Sequence, residues 1–154
     1  MDLKTLLESN LKDAMRTNND LVRRTLRMVL AAIKLAEVEK GQKLDDAAVI
    51  AILQKEIKGR NEAINDAQRA GRADIIVDNQ AEIGVLESYL PKQMSDPELH
   101  ELVSSVISEL GASSPADMGK VIKASLVKVA GRAPNDRVSE IGRASCRERV
   151  YVLV

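Results

Sequence analysis

The side chains of this sequence that could do chemistry are mainly basic, and they form two groups. The first group lies in residues 21–36, which contain no acidic side chain; its members are Arg23, Arg24, Arg27 and Lys34. On a helix, Arg23, Arg27 and Lys34 would lie within about 40° of one another around the axis. A basic strip of this kind can follow the phosphates of a nucleic acid.

The second group lies in residues 112–140, which hold five basic and three acidic side chains. The members that we consider for binding are Lys120, Lys123, Lys128 and Arg132. The sequence has no Phe, no Trp and only two Tyr, so base stacking on aromatic side chains is not available. A nucleic-acid contact should therefore go through backbone and shape. The alternative for both groups is a solvated helix face whose aliphatic stems cover apolar surface.

Few side chains suit catalysis. His100 is the only histidine, and we expect it to face solvent between the core positions Leu99 and Leu102 of one helix. Nucleophilic catalysis needs a Ser or Cys beside a base, and the sequence shows no such pair. We therefore predict no catalytic residue.

Metal and phosphate-loop motifs are also weak. Metal sites need clusters of His, Cys, Asp or Glu; the nearest groupings, Asp45–Asp46 and the pair Asp74 and Asp78, fit first-turn charges that the helix dipole favours. A phosphate loop ending in Gly119–Lys120 would need Gly at position 114 and Ser or Thr at 121, where the sequence has Ser and Val. We expect Gly119 to permit close helix packing, and we predict no metal and no cofactor.

Composition limits the class of protein. The 154 residues are 45% apolar and 30% charged, with a formal net charge of zero, which is typical of a globular chain and excludes a strongly basic nucleic-acid binder as a description of the whole. No apolar run approaches the roughly 20 residues that span a bilayer. One Cys cannot form an internal disulfide, and the N-terminus has no signal-peptide core, so we expect a cytoplasmic protein.

Apolar residues recur at helical spacing along the whole chain, which predicts an all-α fold. Gly41, Gly71, Gly111 and Gly131 are the predicted helix ends, and the predicted starts are Asp2, Asp20, Asp45 or Asp46, Ala73, Ser95, Ser114 and a position near Asp136. Leu90–Pro91 interrupts the pattern. We predict an N-terminal helical bundle over residues 1–92 and a small C-terminal helical domain over 95–140.

The last residues have an unusual sequence. Residues 140–150, EIGRASCRERV, match the translation of a common short-read sequencing adapter in one frame. We predict that residues 141–154 are a non-native tail in place of a genuine final helix, and we base no functional argument on Cys146 or Tyr151.

Short segments in a fixed order carry a resemblance to a known family. They are RMV at 27–29, AIK at 32–34, LQKEIKGR at 53–60, AGRAD at 70–74, YLP at 89–91, GASSPADMGKV at 111–121 and GRA at 131–133. In this order the sequence, over about residues 1–140, resembles the GatB/YqeY family. It departs from the family pattern at Pro134, where an Asp-Gly pair commonly follows Gly-Arg-Ala, and in the tail.

The resemblance implies a helical bundle joined to a small helical domain. In the GatB subunit of tRNA-dependent amidotransferases, the corresponding module is the tail that contacts tRNA, and a related module is appended to some glutaminyl-tRNA synthetases. Stand-alone members are commonly assigned carbon–nitrogen ligase activity with glutamine as amido-N-donor. By the resemblance that chemistry belongs to the amidase subunit and to another part of GatB, so we expect no activity from this chain alone.

The leading hypothesis is a tRNA-associated accessory protein, in translation, whose eight basic residues contact the tRNA backbone. The alternative is a helical docking module for an amidotransferase or an aminoacyl-tRNA synthetase. Neither hypothesis involves a membrane or DNA.

Overall fold

The computed structural model describes the backbone of residues 1–152 and the side chains of residues 1–149. The described backbone contains seven α-helices and no strand, which confirms the predicted all-α fold. The helices are α1 (Leu3–Arg16), α2 (Asp20–Lys40), α3 (Asp46–Ala70), α4 (Ala73–Glu87), α5 (Asp96–Leu110), α6 (Met118–Val129) and α7 (Asn135–Val152). No helix of this part of the chain is both long enough and apolar enough to cross a membrane.

Local sequence signals set most helix ends. The side chains of Asp2 and Asp45 accept hydrogen bonds from backbone amides in the first turns of α1 and α3, as N-caps do. At the start of α2 the cap is Asn19 rather than the predicted Asp20, which is the first helical residue. Gly71 ends α3 in the left-handed region, with φ of 68°, which glycine adopts without steric cost.

The chain divides into two compact units, and the first comprises Met1–Leu90 with α1 to α4. The fully buried part of its core is aliphatic, and Tyr89 packs against it partly buried. The fully buried core residues are Leu7, Leu26, Val29, Ile33, Val49, Leu53 and Leu86. On α2 they recur at three-to-four spacing, so one face of that helix packs inward, as predicted.

One buried cation lies among the helices of the first unit. Arg60 of α3 is only 6% exposed; its Nη1 donates to Glu56 Oε2 at 2.7 Å and its Nε to Glu82 Oε2 at 2.8 Å. The other oxygen of Glu82 accepts from Arg24 Nε of α2 at 3.1 Å. Burial lowers the pKa of Arg60, but the hydrogen bonds to Glu56 and Glu82 outweigh it and the pKa is raised. These four residues, the Arg60 network, tie α2, α3 and α4 together.

The second unit begins at Pro91 and contains α5, α6 and α7. Its buried residues include Leu99, Val103, Val121, Val129 and Val138. A capping box starts α5: Ser95 accepts from the amide of Glu98, and Glu98 accepts from the amide of Ser95, as the sequence predicted.

Some elements differ from the predicted pattern. Helix α4 ends at Glu87, three residues before the predicted interruption at Leu90–Pro91. A single 3-10 turn, Pro115–Asp117, precedes α6, and Ala130 with φ of 49° ends it. The helix predicted to start near Asp136 begins at Asn135 and continues to Val152, through residues that were predicted to be a non-native tail. That residues 141–154 are non-native remains a prediction.

We predict that Arg60→Ala lowers the free energy of unfolding of the first unit by about 3 kcal/mol, because it leaves two carboxylates without their buried partner. The measurement is amide hydrogen exchange of residues 1–90 in the full chain. Arg69→Ala, on the exposed surface of the same helix, is the matched control and should change it by less than about 0.5 kcal/mol. Equal effects of the two changes would contradict the structural role of the Arg60 network.

Candidate nucleic-acid interface

The basic group on α2 is partly neutralised by carboxylates of the same unit. Arg23 Nη2 lies 2.6 Å from Asp20 Oδ1. Arg24 contacts Glu82 at 3.1 Å and Asp78 at 3.8 Å, both on α4. Each partner cancels charge that a phosphate would otherwise meet, so these two arginines are poor anchors for RNA.

Arg27 and Lys34 complete this group and are exposed on α2. Among the residues with described side chains, neither has an ion-pair partner within 4.0 Å. They lie about one and about three turns further along the helix from Arg23. The structure therefore keeps two of the four predicted residues available to an external ligand.

The basic group of the second unit divides in the same way. Lys120 and Lys123 are exposed on α6, about 60° apart around its axis, and neither has an ion-pair partner among the described side chains. Val127, one turn beyond Lys123, is 76% exposed on the same face. We call the surface of Lys120, Lys123 and Val127 the α6 face.

Lys128 and Arg132 lie away from the α6 face. Lys128 is about 140° from Lys123 around α6, and its Nζ lies 2.5 Å from Glu109 Oε2 of α5. Arg132 follows α6 and is partly buried; its Nε donates to the carbonyl of Lys92 at 3.3 Å. The structure thus does not bring the four predicted C-terminal residues into one strip.

The segment that begins the second unit is fixed to the turn after α6. The amide of Met94 donates to the carbonyl of Arg132 at 2.7 Å, and the Gln93 side chain donates to the carbonyl of Gly131 at 3.4 Å. Met94 itself is buried in the core of this unit. These bonds hold residues 91–94 against the C-terminal end of α6, so the end of α6 and the start of α5 lie close together. The sequence contained no signal for this pairing.

Gly119, in the first turn of α6, is exposed to solvent. A Cβ placed on Gly119 would meet no atom within 4 Å, so the expectation that Gly119 permits close helix packing was wrong. Asp117 accepts from the amide of Ser113 at 3.3 Å and from the hydroxyl of Ser114 at 3.3 Å. Hydrogen bonding by Ser113 lowers the pKa of Asp117, with Lys120 contributing.

The carboxylates that were considered for a metal site instead cap a helix or pair with arginines and backbone amides of the first unit. Asp74 pairs with Arg72, and Asp78 faces Arg24. Asp45 caps α3, while Asp46 accepts from the amide of Leu3 at 2.8 Å. No cluster of three or more His, Cys, Asp or Glu that could hold a metal ion occurs in the described part of the chain.

A serine and a histidine that the sequence did not associate lie close together in the second unit. Ser145 Oγ is 3.3 Å from His100 Nδ1, slightly longer than the nucleophile–base distances of active sites. Ser145 belongs to the segment predicted to be non-native. Cys146 beside it is buried, and burial raises the pKa of its thiol, which disfavours the reactive thiolate.

The fold is that of a helical protein with two small units. The sequence profile of the family described as "Yqey-like protein" matches residues 4–145. The chain therefore belongs to the YqeY-like protein family, as its sequence segments indicated.

Curated relatives agree with this family. The chain is 30% identical over 119 residues to "Altered inheritance of mitochondria protein 41, mitochondrial" of Lachancea thermotolerans, covering 75% of this chain and 64% of that protein. The protein of the same name from Pyrenophora tritici-repentis is 30% identical over 129 residues, covering 82% of this chain and 71% of the relative. The chain thus spans about two thirds of the length of these relatives.

The cytoplasmic expectation was wrong. These relatives, and a third from Vanderwaltozyma polyspora that is 32% identical over 85 residues, are named as mitochondrial proteins. The expectation failed because a lone cysteine shows only that the fold needs no disulfide. It does not discriminate among the compartments in which thiols stay reduced.

We predict that the capping box of α5 weakens in acid. Hydrogen bonds from the Ser95 amide and then its hydroxyl hold the pKa of Glu98 below its usual value of 4.5. Stability from a lowered carboxyl pKa is present above the unfolded pKa and is lost as the pH falls through the folded pKa. Glu98→Gln should therefore melt below the wild type at pH 6, and the gap should shrink below about pH 4.5.

Circular dichroism melts between pH 6 and pH 3 measure this gap. Glu101→Gln, an exposed neighbour on α5 without an ion-pair partner among the described side chains, is the control and should show no pH-dependent gap. A gap for Glu98→Gln that is constant with pH would count against the charged cap.

Proposed function

We propose that this chain is a tRNA-associated accessory protein that binds the phosphate backbone of folded tRNA through the α6 face. The observation that carries the proposal is the exposure of Lys120 and Lys123 on one face, with no ion pair within 4.0 Å among the described side chains. Membership in the YqeY-like family supports it through the resemblance to the GatB tail.

The chemistry of the α6 face suits a backbone ligand better than base recognition. Lysine ammonium groups act as mobile point charges toward phosphate oxygens. With no Phe and no Trp in the sequence, bases have little to stack on. Two lysines would release few counterions, so the proposed binding is weak and depends on salt.

Family members are assigned carbon–nitrogen ligase activity with glutamine as amido-N-donor. Amide transfer from glutamine needs a nucleophile or an activated ammonia donor, and the contact between Ser145 and His100 lies partly in residues 141–154. We propose that any such activity requires an amidotransferase partner. Glutamine-dependent amide formation by the purified chain alone would contradict this.

A second candidate function is docking on an amidotransferase or an aminoacyl-tRNA synthetase. It is favoured by large apolar side chains that remain exposed on α2, among them Leu35 and Val38. Docking and tRNA binding would use different helices, and the two functions are compatible.

We predict that the double change Lys120→Glu with Lys123→Glu weakens tRNA binding by at least about tenfold at low salt, because two phosphate contacts become repulsive. Fluorescence anisotropy of labelled total tRNA, at about 50 mM and about 200 mM salt, measures it. The negative slope of log K against log salt concentration should become shallower by about 1.5.

The control is the double change Lys12→Glu with Lys55→Glu, which makes the same change in net charge on exposed residues of the first unit. It should keep most of the affinity and the salt slope. Lys128→Glu alone should have a small effect, because Glu109 already neutralises that lysine. Unchanged binding of the α6 double variant would contradict the proposal, as would equal losses in both double variants.

A further inference from the structure

Helix α2 carries a second apolar face, on the side opposite to the core. Met28, Leu35 and Val38 are 56%, 61% and 71% exposed, whereas Leu26 and Ile33 of the same helix are fully buried. Successive residues of a helix are about 100° apart, so the centres of the two faces are separated by roughly 170°. A surface helix ordinarily has one apolar stripe and a polar opposite face.

The exposed residues have the spacing of a helix-pairing surface. Met28, Ala31, Leu35 and Val38, which we call the α2 seam, follow one another at intervals of three, four and three residues. This is the a–d–a–d pattern of two heptads, which lets side chains of a second helix insert between them. The core face of α2 does not use any of these four positions.

The Arg60 network contacts Met28 of the α2 seam and holds α2 against α3 and α4. Arg60 Nη2 donates to Met28 Sδ at 3.8 Å, and Arg24 of α2 contacts Glu82 of α4, which also accepts from Arg60. The network thereby fixes the rotation of α2 about its axis. The α2 seam is held toward solvent by these contacts.

One flank of the α2 seam is basic. With Met28 at an a position, Arg27 and Lys34 occupy successive g positions, where side chains contact the charged flank of a partner helix and set the choice of partner. Both are exposed and have no ion-pair partner among the described side chains. Residues 21–36 of this helix contain no acid.

We propose that the α2 seam docks an acidic amphipathic helix of a partner protein. The seam supplies the apolar contact, and Arg27 and Lys34 pair with carboxylates that flank the apolar residues of the partner helix. This inference goes beyond the proposed binding of tRNA and uses a different helix, so either can fail alone.

Charge complementarity selects this occupant over the others. A second copy of the chain paired antiparallel on the α2 seam would bring Arg27 and Lys34 against the same cations, and a parallel copy would pair Lys34 with Glu39 but leave Arg27 opposite Ala32. RNA would gain from the two cations but would leave the apolar residues uncovered. An anionic membrane would meet a ridge only one residue wide, whereas membrane-surface helices bury a broad apolar face.

The first experiment uses the full chain and a labelled synthetic helix of three heptads, with Leu at a and d and Glu at e and g. We expect saturable binding that weakens at least about tenfold with Leu35→Glu. Leu110→Glu is the matched control, because Leu110 is also half exposed but lies on α5; it should bind as the wild type does. Equal loss with both changes, or no binding to wild type, would overturn the proposal.

The second experiment reverses the charges. The double change Arg27→Glu with Lys34→Glu should lose the acidic peptide and gain a peptide with Lys at e and g. This exchange does not follow from misfolding or from general stickiness. Retention of the acidic peptide would overturn the assigned role of the two cations.

The same variants test the other possible occupants of the α2 seam, which are a second copy of the chain, an anionic membrane and RNA. Sedimentation that shows a wild-type dimer lost in Leu35→Glu would assign the α2 seam to a second copy and overturn the proposal. Binding to vesicles of anionic lipid, or to total tRNA, that is lost in Leu35→Glu but not in Leu110→Glu would also overturn it. Amide exchange that matches the wild type, in residues 1–90 for the α2 variants and from Pro91 onward for Leu110→Glu, shows that each variant is folded.

Discussion

The buried guanidinium of Arg60 is the interaction on which the first unit depends. A cation that is almost fully removed from water is tolerated only where carboxylates and hydrogen bonds compensate its desolvation. Here Glu56 and Glu82 do so, and Glu82 extends the contact to Arg24. Because the three helices meet through directional bonds, their rotation is fixed more closely than an aliphatic core alone would fix it. That rotation decides which residues of α2 reach solvent.

The same ion pairs decide which basic residues remain available. In the sequence the cations of each group look equivalent, but carboxylates from other helices hold Arg24 and Lys128. Arg27 and Lys34 remain on α2 beside exposed apolar residues, whereas Lys120 and Lys123 remain on α6. The two surfaces therefore differ in chemistry. The α2 surface combines two cations with the apolar α2 seam, whereas the α6 face is mainly charged and suits phosphates.

Local signals made much of the fold predictable, and tertiary contacts explain most of the rest. The capping box at Ser95 and the glycine end of α3 were readable because their causes lie within a few residues. The Glu56–Arg60 pair has the i, i+4 spacing of a helical ion pair, but its burial and its link to Glu82 depend on tertiary contacts. The α2 seam had a visible spacing, yet apolar residues in sequence are ordinarily assigned to the core, so only the structure showed that this face has no partner in its unit.

The most direct test of the central claim is a nuclear magnetic resonance titration of the full, isotope-labelled chain with total tRNA. Amide shift changes should concentrate at the α6 face, around Lys120, Lys123 and Val127, and should disappear at high salt. Shift changes confined to α2 would contradict it. So would an unperturbed α6 face at tRNA concentrations that saturate binding.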